Sequence, residues 1–183
     1  MYLSAERYVS GYSFQEEQER ALYDRLVKEF GVEEHVDPDT PSAHVKFTVG
    51  YWRKANQIHT WFVENCQGGR DECQKTWVDR EKLVELRELC LRVLASTTLI
   101  DDLVPLWTIY DAAHPQGAVQ LEPGKVLADA ASAHDLLPTA EGFFFGGTDY
   151  DEFYWRDLKI TVENIDRALS LPGAWDFEYH SSW

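Results

Sequence analysis

The chain is poor in cations, in cysteine and in long apolar runs, and each shortage excludes a class of function. Lys and Arg number 17 against 32 Asp and Glu, which leaves a formal net charge of −15 over 183 residues. The acids are dispersed (Glu16-Glu17, Glu33-Glu34, Asp101-Asp102, Asp149 to Glu152), so a general grip on nucleic acid or on an anionic membrane is not expected. Three cysteines, Cys66, Cys73 and Cys90, form no CxxC pair and suit reduced thiols in a cytoplasm. His59, Cys66 and Cys73 stand seven residues apart at each step, a spacing that fits no common zinc pattern. The Asp149/Asp151 pair reads more simply as helix capping than as a magnesium site. No metal and no cofactor is therefore expected. No run approaches the ~18 apolar residues of a membrane span, and Met1 to Ser10 lacks the basic-then-apolar order of a signal peptide. GxSxG, HExxH, P-loop and dinucleotide patterns are missing too.

What is present is aromatic. With 44% hydrophobic and 14% aromatic residues, the chain is long enough for one well-buried core and reads as a single domain over 1–183. Two segments, Tyr51 to Phe62 and Gly142 to Asp151, mix rings with hydrogen-bonding side chains, where a purely structural segment would carry Leu, Ile and Val. Stacking area with a few placed polar groups is what a ligand or partner site needs.

Patterning predicts an α+β protein, mostly helical, with about four helices and a small antiparallel sheet. Tyr2 to Val9 and Val45 to Thr48 read as strands. Ser13 to Glu16 has the form of a capping box before a helix that Gly31 ends. A second helix is expected from about Val49 to Cys66, stopped by Gly68-Gly69, and a third is opened by Asp79. Between 96 and 135 the pattern weakens around Pro105, Pro115, Gly117, Pro123 and Gly124, which reads as a loop-rich insertion with one short helix from Val126 to Leu136. Thr148 is the expected cap of the longest helix, with Asp151 in the capping-box position and a stop at Pro172-Gly173. The tail Asp176 to His180 alternates like an edge strand and is placed to pair with Tyr2 to Val9, joining the two ends of the chain.

On a helical wheel, Trp52, Ala55, Ile58, Phe62, Val63 and Cys66 form one apolar arc, with His59 inside it and Asn56 at its margin. Arg53, Gln57, Thr60 and Glu64 line the flank, and Trp61 falls opposite the core, where something should cover it. On the Thr148 helix, Tyr150, Phe153, Tyr154, Leu158, Thr161, Ile165 and Ala168 form the buried face. Asp157 lies within or beside that face and needs a partner, with His59 or Arg53 the candidates. A His59–Asp157 pair reads as structural cement or as an acid–base dyad.

At these residues the chain resembles a widespread family of small, uncharacterised proteins encoded by tailed phages and prophages. The resemblance rests on Val49 to Val63 (VGYWRKANxIHxWFV), Asp71 to Cys73, the Leu136 to Asp151 segment with its GFFFGxTxYD loop, and the terminal Ser181-Ser182-Trp183. It departs at Cys66, where an aliphatic residue is expected, and across 96–135. The resemblance implies a phage-encoded, non-virion accessory protein acting in the bacterial cytoplasm, in host takeover or counter-defence. It also implies that Trp52, Arg53, Asn56, His59, Trp61, Phe144, Thr148, Tyr150, Asp151 and Trp183 belong to one shared site or core.

Three functions stay open at this point. The first is a binding protein that holds a small, nucleotide-derived molecule in an aromatic-polar pocket, with rings on the base and Arg53 on a phosphate. The second is an acidic interaction protein that blocks or redirects a host protein, with Trp61 as anchor. The third is a hydrolase using His59 with Asp157. Either a monomer or a homodimer fits.

Overall fold

Alternating apolar residues at Leu3 and Ala5 define the inner face of a nine-residue strand, Tyr2–Ser10 (β1). It pairs antiparallel with Ser42–Tyr51 (β2) on one side and with Asp176–His180 (β6) on the other. The short Thr76–Val78 (β3) completes the sheet beyond β6, in the order β2-β1-β6-β3. Facing pairs carry the pattern through: Leu3 opposes Tyr179, and Phe177 opposes Ala5 on one side and Val78 on the other. All five are essentially buried. The computed structural model describes residues 1–142 and 146–182.

Helices pack on this inner face. They are Asn56–Cys66 (α2), Arg80–Ser96 (α3) and Glu152–Leu169 (α5), the last lying against both α3 and β2. Glu17–Glu29 (α1) packs on the far end of β1 around a small separate cluster of Val9, Tyr23 and Val27. Glycine performs the stops: Gly31 takes φ 63° after α1, and Gly68 and Gly69 take 63° and 76° after α2, a left-handed turn that closes helix ends at little steric cost. The Gly69 amide returns to the Val63 carbonyl at 2.9 Å.

The class is α+β, with five helices and two antiparallel sheets among the described residues. Helix at 36% and strand at 27% of the described residues do not bear out the mostly helical reading. The joined strands at the two ends of the chain are present, but β6 is an interior strand flanked by β1 and β3, not an edge. β2 runs through Tyr51, so the helix expected from Val49 begins only at Asn56, after a turn in which Lys54 takes φ 64°. The loop-rich reading of 96–135 is corrected as well. It holds a long hairpin, Leu99–Ile109 (β4) with Ala118–Leu127 (β5), followed by the short helix Ala131–Leu136 (α4). Its prolines misdirected the reading, because a two-stranded ribbon leaves half its backbone groups unpaired and tolerates proline that an interior strand would not. None of the described helices is long and apolar enough to cross a membrane.

Candidate functional site

The turn between β2 and α2, the start of α5 and the segment leading into it converge on a cleft of about 340 Å³. Arg53, Asn56 and Gln57 line one side, Gly146, Gly147 and Asp151 the entrance to α5, and Tyr154, Arg156 and Asp157 the other wall.

Asn56 builds the cleft. Its Nδ2 donates to the Gly147 carbonyl at 2.9 Å, and its Oδ1 accepts from the Ala140 amide at 2.9 Å. One buried carboxamide thus ties Ala140 to Gly147, with the Thr139 hydroxyl donating to the Thr148 carbonyl just outside that pair. Gly146 approaches so closely that a Cβ there would meet the Lys54 carbonyl at 3.1 Å. Asn56→Ala removes both buried bonds and leaves two backbone groups unmatched, an expected loss of about 2–3 kcal/mol. Asn56→Asp keeps the acceptor alone and should fall between, as urea denaturation of the three proteins would measure.

Asp151, not Thr148, caps α5. Its Oδ1 accepts from the Phe153 and Tyr154 amides at 2.9 and 3.0 Å. Burial pushes the Asp151 carboxyl up while those amide donors pull it down. Asp157, two turns into the helix, is raised to about 6, chiefly by burial, with the Gln57 carboxamide and the Arg156 charge opposing. Gln57 is 3% exposed, and its Nε2 has no hydrogen bond of ordinary geometry, although it sits close enough to Asp157 to hold that carboxyl down in part. Arg156 lies over the Phe153 ring at 4.9 Å, at the rim. Among the described lining residues, Arg53, Lys54 and Arg156 balance Asp149, Asp151 and Asp157. The cleft is therefore close to neutral on a protein that carries −15 overall.

The sequence candidates divide. Arg53, Asn56, Asp151 and Asp157 meet at the cleft. Trp52, His59 and Trp61 are core residues at 2%, 2% and 6% exposure. The Trp52 indole donates to the Thr161 hydroxyl at 2.8 Å, and Trp61 meets Phe62 edge-on at 5.3 Å. Trp61 was expected opposite the core. The cover expected for it is the protein's own structure: α2 buries Asn56, Gln57, Ile58, His59, Trp61 and Phe62 and so is enclosed nearly all round. Thr148 is exposed, and Tyr150 is half-buried with its ring against Tyr154. Phe153, assigned to the buried face of α5, is 54% exposed. Phe144 and Trp183 lie outside the described residues.

The expected His59–Asp157 pair is not formed. His59 Nδ1 stands 2.7 Å from the Tyr179 hydroxyl and Nε2 3.1 Å from Asp71. The consistent arrangement is a neutral ring that accepts from Tyr179 and donates to Asp71. Burial lowers the His59 pKa, with Asp71 opposing, in keeping with that neutral state. Sequence reasoning missed Gln57 by reading it as flank and missed Asp71 as a partner because no periodicity links a loop carboxylate to a helix. Compared with family models, curated proteins and solved structures, the chain matches none.

Proposed function

We propose that the protein is a binding protein whose cleft captures a small, nucleotide-derived molecule, acting as a phage-encoded accessory factor in the host cytoplasm. The buried Gln57 carboxamide at the wall of the cleft carries this reading. A carboxamide placed at a cleft wall offers a ligand both a donor and an acceptor. Next to it, Asp157 offers a carboxyl that changes protonation near neutrality. A donor beside a carboxyl matches the edge of a nucleobase, which presents acceptors and N–H groups side by side. Arg53 and Arg156 supply charge for phosphate, and the exposed Phe153 ring supplies stacking surface. The local charge balance removes the repulsion that the rest of the surface would impose on an anion. The phage context rests on the motif resemblance alone. A His59-based hydrolase loses its support, because that ring is held by Tyr179 and Asp71 in the core.

Native mass spectrometry of the freshly purified protein, followed by denaturing release, tests the reading. A retained nucleotide-like mass is expected, lost in Gln57→Leu and in Arg53→Ala while both variants keep their fold. An empty protein that no nucleotide stabilises in a thermal-shift panel would overturn it.

A further inference from the structure

The cleft's polar side chains fall into two groups, those the fold itself uses and those it leaves for a ligand. Asn56 is spent on Gly147 and Ala140, the Thr139 hydroxyl on the Thr148 carbonyl, and the Tyr154 hydroxyl on the Leu137 carbonyl at 2.9 Å. Asp151 is spent on two amides at the start of α5. What remains divides by depth. Gln57 is buried and Asp157 half-buried, side by side on the wall, whereas Arg53, Lys54, Asp149 and Arg156 are exposed at the rim. The charge balance is therefore uneven among the described lining residues. Three cations face one acid outside, and one carboxyl meets one carboxamide inside. Lys54 underlines the sign of the rim. Its φ of 64° is a conformation that glycine or asparagine adopts at less cost, so the position holds a cation against its backbone preference.

A nucleotide has the same two ends. Its phosphates call for exposed cations, and its base calls for matched donors and acceptors away from water. The inner pair discriminates among bases. Asp157 is ionised above about pH 6 and then only accepts, while the carboxamide beside it has N–H groups to donate. That order, two acceptors and then a donor, is met by two adjacent base donors followed by an acceptor. Guanine alone among the common bases has it, with N1–H and N2–H beside O6. Adenine and cytosine offer one amino group next to a ring-nitrogen acceptor, and uracil one N–H between two carbonyls. Each of those sets an acceptor against the second carboxylate oxygen.

Resting on the nucleotide reading of the cleft, we infer that the site is selective for guanine nucleotides. The Asp157 carboxylate accepts from N1–H and N2–H, the Gln57 carboxamide donates to O6, and Arg53, Lys54 and Arg156 hold the phosphates. Isothermal titration calorimetry of the full chain at pH 8 is the test, with guanosine mono-, di- and triphosphate against the matching adenosine series. The guanosine series should bind at least about tenfold more tightly. Asp157→Asn turns one acceptor into a donor. It should weaken the guanosine series by about tenfold and strengthen xanthosine monophosphate, whose C2 carbonyl replaces the amino group of guanine. A variant that had merely lost its fold would bind neither. Adenosine nucleotides held as tightly as guanosine ones overturn the selectivity while leaving the cleft a nucleotide site. Binding of neither series overturns both readings. A guanosine preference unchanged in Asp157→Asn overturns the assignment too, because another group would then be reading the base.

Discussion

Asp157→Asn is expected to stabilise the protein by about 1–2 kcal/mol at pH 8 and to leave it unchanged below about pH 4. The carboxyl's folded pKa of about 6 lies above its ordinary 3.8. The fold therefore favours the protonated form, and Asp157's contribution is fully present below 3.8 and lost as pH rises through 6. Above that, the native state carries a desolvated carboxylate with only Gln57 and Arg156 opposing the penalty. A fully buried group with that shift would lose about 3 kcal/mol; partial exposure reduces it by about half. Asparagine keeps the shape and cannot ionise. Urea denaturation at pH 4, 6 and 8 measures the difference, and a variant less stable than its parent at pH 8 would show the carboxylate to be well matched. A residue that lowers stability at neutral pH from the wall of a cleft is what a binding role leaves behind. The same substitution should weaken ligand capture.

The second large effect is at His59. His59→Ala is expected to lose about 3–4 kcal/mol. It opens a cavity in the core and strands the Tyr179 hydroxyl, whose ring is stacked on Phe62 at 4.0 Å. His59→Gln should recover part of this by keeping a hydrogen-bonding group in the same space. The pH response has the opposite sense to that of Asp157. Because burial lowers the His59 pKa below 6.5, its contribution is complete above 6.5 and fades as pH falls through the folded value. The stability of His59→Gln should accordingly fall less steeply than the parent's on acidification from pH 7 to pH 5. A His59→Ala protein with unchanged Tm would return the residue to a functional role.

Much of the fold was legible where a local rule governs. Gly31 and Gly68-Gly69 mark helix ends by backbone chemistry that needs no tertiary context, and the alternation of Tyr2 to Val9 and of Asp176 to His180 announced the strands that meet. What failed were inferences that needed to know how many neighbours an element has. Pro105 and Pro123 sit in a ribbon rather than a loop, and although Trp61 called for cover, nothing local said that the cover would be the protein's own core. The site was half-visible for the same reason. The polar residues Arg53, Asn56, Asp151 and Asp157 did converge, but the rings beside them in sequence, Trp52 and Trp61, serve packing. Asp71 and Gln57 owe their roles to contacts between distant segments, and neither leaves a periodic trace.

The position of β6 also sets the order in which the chain can assemble during synthesis. β1, β2 and the small cluster beneath α1 involve only the first 51 residues and can form early. The seam between β1 and β3 stays open until residues 176–180 are made and insert between them. Until then both flanking strands present unpaired backbone, and the apolar faces of α2, α3 and α5 lack the Phe177 and Tyr179 rings that complete the main core. Pairings this far apart in sequence close slowly and leave the nascent chain open to association. A ribosome that stalls late in this message would release a sticky, half-zipped protein, and a chain shortened by its last eight residues should collect in the insoluble fraction instead of folding into a smaller version of itself.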